Sequence, residues 1–250
     1  MDTYRRVPGP GASRFDAVLF DFGGTLDAEG EPAVEQFFRA YHGAGGQRSA
    51  AEFEPIFRES DRQLATDSAT RTRGFRDTLL EQSRLLAALA GDAKLDAAAI
   101  GGAVHASVCA AADRNIAVLR TIRERGMRIG VVSNFTGNLD RCLAELGIAP
   151  LVDVAIDSAI VGVRKPDPAI FGLALAQLGV RAERALMVGD NPFADICAAA
   201  SLGMSTCWLS PLARPLPAGC MPTMRIARLA DLLAQLDPVR ADSLAAPCTG

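Results

Sequence analysis

The sequence predicts an α/β protein: a parallel sheet covered by helices and interrupted after its first strand by an all-helical insert. Three observations predict it. From residue 14 to about residue 237, short apolar runs ending in Gly, Ser or Asp alternate with helix-length stretches, the pattern of β-α-β units. Between Glu31 and Asn115 no strand-like run occurs, only stretches rich in Ala, Leu, Glu and Arg. The 250 residues, 49% of them hydrophobic, suffice for one large or two modest hydrophobic cores.

Taken in order, residues 1–13 read as a loose leader, and Ala17–Phe20 as the first strand. The insert offers helices at Val34–His42, Ala51–Thr66, Thr72–Ala90 and Ala97–Arg114. Alternation then resumes with a helix Ile116–Arg125, a strand Met127–Ser133, a helix Gly137–Leu146 and a strand Val152–Asp157. Gly126 and Gly147 stand where helix C-caps favour glycine. A helix Pro168–Leu178, a strand Ala185–Gly189, a helix Pro192–Leu202 and a strand Ser205–Leu209 complete five core strands. Prolines 211, 215, 217 and 222 break regular structure, after which Met224–Leu236 allows a short strand and a last helix. The implied division is a core of residues 14–28 and 115–237, a helical insert of 29–114 and a flexible tail of 238–250.

A net charge of −3 gives no electrostatic reason to bind nucleic acid or an anionic membrane. No apolar run approaches the roughly 18 residues of a membrane span, and Met1–Arg14 has no apolar segment of a signal peptide. The six cysteines lack CxxC spacing and read as small buried hydrophobes of a reduced, cytoplasmic chain. The sequence assigns no oligomeric state.

Four segments carry chemistry. In Phe20-Asp21-Phe22-Gly23-Gly24-Thr25-Leu26-Asp27 a strand delivers a carboxylate into a glycine turn, whose backbone N–H groups can cradle an anion at which Asp21 points. Asp21 is therefore a candidate nucleophile. Ile129–Asn134 ends a strand in Ser133 and Asn134, and Ser133 alone would read as a helix N-cap. Gly162–Pro168 sets Lys165 in a Lys-Pro-Asp-Pro loop, where an ammonium would let two anionic groups coexist. Ala185–Ile196 ends a strand in Asp190 and places Asp195 near the start of a helix. Taken singly, those two aspartates would only stabilise a helix N-terminus.

In this order the four segments resemble the haloacid dehalogenase superfamily of aspartate-nucleophile hydrolases, from about residue 15 to about residue 235. The resemblance implies a Rossmann-like parallel sheet core with an all-helical cap insert roofing the site. It implies a phosphatase-like activity on a small phosphorylated substrate, with Asp21 and Lys165 catalytic and Gly23, Gly24, Ser133 and Asn134 contacting the phosphoryl group. Mg²⁺ would be held by Asp21, the Gly23 carbonyl and Asp190, with Asp195 as ligand or partner. One position departs: Gly23 stands where the family's phosphatases carry a second aspartate as general acid/base, a group worth about 10²–10⁴ in rate. Asp27 and His42 are candidate substitutes, though both read more simply as surface residues. His105, in an Ala-rich stretch, reads as structural, Arg71, Arg73, Arg76 and Arg84 read as a solvated helix face, and Gly43–Gly46 lacks the spacing of a phosphate loop.

Three functions follow, in order of weight. The first is an Mg²⁺-dependent phosphohydrolase with an atypical or missing acid/base. The second is a non-catalytic phosphate- or protein-binding module. The third is a 2-haloacid dehalogenase-like enzyme, which the pairing of Asp190 with Asp195 disfavours, because family dehalogenases work without metal and lack that complete pair.

Overall fold

All four side chains of β1 (Ala17–Phe20) are buried, as befits a central strand covered on both faces. The computed structural model describes residues 14–92 and 94–236; the expected leader (1–13) and tail (238–250) lie outside the described residues. Its sheet comprises β1, β2 (Arg128–Ser133), β3 (Val154–Asp157), β4 (Ala185–Gly189), β5 (Ser205–Leu209) and β6 (Met224–Ile226). Their order is β3-β2-β1-β4-β5-β6, and every neighbouring pair is parallel. The short sixth strand that Met224–Leu236 allowed is therefore present, followed by the single turn α9 (Leu232–Gln235).

Period-two alternation sorts each strand between two cores. Val18, Phe20, Val131 and Val188 face the core shared with the insert, whereas Leu19, Val132 and Met187 face the helix α7 (Ala169–Leu178). Phe20 pairs with Val131 on one side and Val188 on the other, so the residues that follow β1 and β4 emerge together at the carboxyl edge. Sequence order reverses between β1 and β4, the crevice at which open α/β sheets bind ligands.

Between β1 and β2 the described residues contain helices and no strand: α1 (Ala33–Gly43), α2 (Ala50–Thr66), α3 (Phe75–Ala90) and α4 (Ala97–Glu124). Two expectations are corrected here. The stretch expected to hold two helices, 97–114 and 116–125, is one helix of 28 residues, about 42 Å long at 1.5 Å per residue. Asn115 does not break it, because its side-chain amide leaves the helix to donate to the Leu26 carbonyl at 2.9 Å. The third helix starts at Phe75 rather than Thr72, because its first two amides, Phe75 N and Arg76 N, donate to the Glu145 carboxylate at 2.6 and 3.0 Å. Glu145 ends α5 (Leu139–Glu145), which is bounded more tightly than the expected 137–146.

Beyond β3 the chain makes the single turn α6 (Ser158–Val161), then α7 after Pro168. After β4 a helical turn at Pro192–Cys197 runs into α8 (Ala198–Ala200). The expectation of reduced cysteines fails at one pair: Cys197 of that turn and Cys220 of the loop before β6 are disulfide-bonded, with Cα atoms 5.6 Å apart. Cys109, Cys142 and Cys207 are free thiols. No helix among the described residues is long and apolar enough to cross a membrane.

Candidate active site

Asp21 prolongs β1 by one rung, its N–H donating to the Val188 carbonyl at 2.9 Å, and the chain then turns sharply through Phe22–Leu26. The buried Phe22 ring, edge-on to Phe75 and Phe135, pins the turn from beneath. The two glycines do different work. Gly24 has φ +86°, and a Cβ there would lie 2.6 Å from the Asp190 carboxyl carbon, so only glycine fits between the two strand ends. Gly23 has φ −72° and ψ 119°, a conformation open to any residue, and a Cβ there would meet nothing within 4 Å.

The carboxyl edge brings together four of the residues singled out in the sequence. Lys165 is buried, and its Nζ donates to Asp21 Oδ1 at 2.5 Å and to Asp195 Oδ1 at 2.6 Å. The other oxygen of Asp195 accepts from Asn191 N at 3.0 Å, so both of its oxygens are engaged within the protein. Asp190 is held on two sides, its carbonyl accepting from Trp208 Nε1 at 2.8 Å and its Oδ1 from Thr25 Oγ1 at 3.3 Å. One oxygen each of Asp21, Asp190 and Asp195 lies within 4.8 Å of the others.

Burial makes this cluster expensive to ionise. Burial, with the charges of Asp21, Asp195 and Asp27, pushes Asp190 well above the usual carboxylate range. Asp195 is raised by burial against the opposing pull of Lys165. Burial works against the charge on Lys165, but Asp195 and Asp21 outweigh it and hold its pKa above the ordinary value.

Other expected contacts take different forms. Gly24 N–H donates to Asp27 Oδ1 at 2.6 Å, so this amide closes the turn rather than standing open to an anion. Asp27, read from sequence as a surface residue, is buried, and burial pushes it up to about 7. Asn134 was expected to contact the phosphoryl group. It lines the cavity, and its side chain brackets the Lys165 main chain, accepting from Lys165 N at 2.8 Å and donating to Lys165 O at 2.9 Å, and so positions the lysine. Ser133 is buried in the wall of the cavity described below. His42 is exposed, and His105 sits 3.6 Å from Glu145. Arg71, Arg76 and Arg84 are exposed and Arg73 pairs with Asp67 at 2.8 Å; none of these residues lines the cavity.

A cavity of about 350 Å³ opens over the cluster, with Asp21, Gly23, Ser133, Lys165 and Asp190 on the sheet side and side chains of α1 to α4 above. A hard divalent cation prefers carboxylate and carbonyl oxygens and retains several waters. The donor set fits: Asp21 and Asp190 present carboxylates to a solvent-accessible space, and Thr25 and Trp208 orient Asp190 from behind. Asp195 completes the same cluster, its oxygens also accepting from Lys165 and Asn191.

A sequence profile of the haloacid dehalogenase-like hydrolases matches residues 15–203. Phosphoserine phosphatase of Thermus thermophilus is 34% identical over 117 residues, which are 46% of this chain and 47% of that protein. Pyrimidine 5'-nucleotidase YjjG of Escherichia coli is 34% identical over 129 residues, 51% of this chain and 57% of that protein. The chain thus spans about half the length of these curated relatives. Among solved structures, a dehalogenase shares the fold with a TM-score of 0.64 at 18% identity, covering 91% of this chain and 99% of that one.

Proposed function

We propose that this chain, which belongs to the haloacid dehalogenase-like hydrolases, is a metal-dependent phosphohydrolase acting on a small phosphate monoester through an aspartyl-phosphate at Asp21. The observation that carries the reading is the buried arrangement of Asp21, Lys165, Asp190 and Asp195 beneath a cavity. Three aspartates around one ammonium leave a surplus of negative charge, so a phosphate dianion needs a further cation in order to approach. Mg²⁺ bound by Asp21 and Asp190, with the Gly23 carbonyl, would supply that charge and polarise the phosphoryl oxygens.

The protein's own part is positional. Lys165 fixes the Asp21 carboxylate through Oδ1 and places its ammonium beside the entering phosphoryl group. A carboxylate oxygen of Asp21 attacks phosphorus, the bond from phosphorus to the ester oxygen breaks, and the alkoxide or aryloxide leaves. Water then attacks phosphorus, the bond to Asp21 breaks with its electrons returning to the carboxylate, and inorganic phosphate departs. With no carboxyl group at position 23, the leaving group departs with little protonation, so activated esters turn over fastest. In this reading residues 14–28 and 115–237 form the catalytic core and 29–114 the cap, with α4 as a continuous strut across that border.

The test is phosphate release from an aryl phosphate with added Mg²⁺, in wild type and in Asp21→Asn, which keeps the shape and removes the nucleophile. Turnover below about a hundredth of wild type is expected. A variant that keeps more than that, or a wild-type rate unaffected by EDTA, contradicts the proposal.

A further inference from the structure

We propose that Gln82 recognises the end of the substrate remote from phosphorus, and that the substrate is a phosphate monoester whose apolar stem ends in a neutral amide-type group, a C=O beside an N–H. This deepens the phosphohydrolase reading and rests on it. Gln82 belongs to the stripe Phe75, Thr78, Leu79 and Gln82 that α3 turns toward the cavity, at the spacing of one helix face. The stripe starts beside the catalytic turn, where the Phe75 ring lies edge-on to Phe22 with centroids 5.8 Å apart. α3 itself starts against the core, its first amides held by Glu145. Gln82 stands two turns further along, about 10 Å at 1.5 Å per residue.

The state of its amide is what points to a ligand. Gln82 is only 6% exposed, yet neither end of the amide has a hydrogen-bond partner among the described residues. Both ends nevertheless keep accessible surface, because the buried side-chain atoms closed off without a partner are Gln36 Oε1 and Arg225 Nε. Gln82 lines the cavity over the carboxylates and not the groove between α1 and α4 that Gln36 also borders. A buried amide in that state takes its donors and acceptors from whatever fills the cavity. The other polar groups on the insert's wall are already engaged. The Thr78 hydroxyl donates to Gly74 O at 2.7 Å and accepts from Asn138 at 2.8 Å. Gln36 Nε2 donates to the Glu31 carbonyl at 3.2 Å, and Asp61, exposed on α2, is answered by the charge of Arg164.

The rest of that wall is largely apolar, with Phe37, Phe57, Leu79, Val104 and Val108. It removes a methylene chain or a ring from water, worth roughly fourfold in affinity per CH₂, and offers nothing to a hydroxylated chain. A glutamine amide presents one acceptor and two donors, so its complement is a group that carries both. Because Gln82 and the carboxylates are fixed on different elements, the length of the stem is selected together with its end.

Binding of phosphonates tests this without requiring turnover. With Mg²⁺ present, calorimetry would compare ω-carboxamide alkylphosphonates of two to six methylenes with n-alkylphosphonates of matching length, on wild type, Gln82→Met and Gln82→Leu, with thermal melting to check that the variants are folded. In wild type the alkyl series should tighten by about fourfold per added methylene until the cavity is filled. At one or two lengths the carboxamide should bind about tenfold tighter than its alkyl match, and at the others more weakly, because the amide is then buried unpaired. Gln82→Met and Gln82→Leu should abolish the tenfold preference without weakening the alkyl series. The absence of a preferred length in wild type overturns the proposal whether or not the variants fold. So does a preference that survives in a folded variant, an alkyl series that does not tighten with length, or failure of every phosphonate to bind while inorganic phosphate binds. If neither inorganic phosphate binds nor acetyl phosphate is hydrolysed, the phosphohydrolase reading itself has failed, and this proposal falls with it.

Discussion

Gly23→Asp adds a carboxyl group where the family resemblance expects an acid/base, and the structure shows that the addition costs little. The backbone at Gly23, φ −72° and ψ 119°, is one that aspartate adopts without strain, and the Cβ enters open space at the cavity wall. Replacing a glycine in such a conformation also stabilises by about 0.4–1 kcal/mol through the unfolded chain. The new charge lies near Asp21, Asp27 and Asp190, which favours the protonated form that a general acid requires. A positioned acid/base contributes about 10²–10⁴, or roughly 3–5 kcal/mol of barrier, most of it to poor leaving groups. The assay is kcat/KM for a series of aryl and alkyl phosphates spanning leaving-group acidity, with Mg²⁺ present. Wild type should show a steep dependence on leaving group, and Gly23→Asp should flatten it by raising the alkyl rates about a hundredfold or more. A folded, Mg²⁺-binding variant with unchanged alkyl rates, beside a wild type that hydrolyses both classes equally, would refute the reasoning and point to Asp27 as the existing proton donor.

Three further outcomes follow from the same geometry. Because the folded protein raises Asp27 from 3.8 to about 7, it retains a proton that the unfolded chain releases, and stability should fall as pH rises between those values. The full fall attributable to Asp27 is at most about 4 kcal/mol; Asp27→Asn should remove that part of the slope in chemical denaturation, and an unchanged slope would show that Asp27 titrates normally. Lys165→Met strands Asp21 and Asp195 in a buried setting and should destabilise by about 3–5 kcal/mol at pH 7.5, less at pH 5 where the carboxyls take up protons; equal losses at both pH values would contradict the ion-pair account. Mg²⁺ at a hundred times its dissociation constant should stabilise wild type by about 2.7 kcal/mol in thermal melts, and a gain that persists in Asp190→Asn would place the cation elsewhere.

What the sequence revealed and what it hid have different physical origins. Asp21, Ser133 and Asp190 could be singled out because each stands at the end of an apolar run, and a parallel sheet gathers those ends at one edge, whereas Lys165 in its Lys-Pro-Asp-Pro loop was singled out by the family resemblance. The β-α-β alternation announced a parallel sheet, while the order of its strands came only from the structure. The missed features all depend on partners distant in sequence. Glu145 caps a helix seventy residues earlier, Asn115 leaves its own helix for Leu26, and Cys197 meets Cys220 with no spacing signal. Asn134 also supports the loop carrying Lys165, which folds back onto its amide, a second role that its place at a strand end did not announce. Asp27 shows the limit most clearly. A charged residue just after a glycine turn reads as solvated, but here the turn curls so tightly that the Asp27 carboxylate becomes the acceptor for Gly24 N–H. The same curl buries it, raises its pKa and sets it in the wall of the cavity with Asp21. Nothing in the octapeptide separates those two fates; the turn is fixed by partners distant in sequence, Phe75 and Phe135 against Phe22 and Asn115 of α4 on the Leu26 carbonyl.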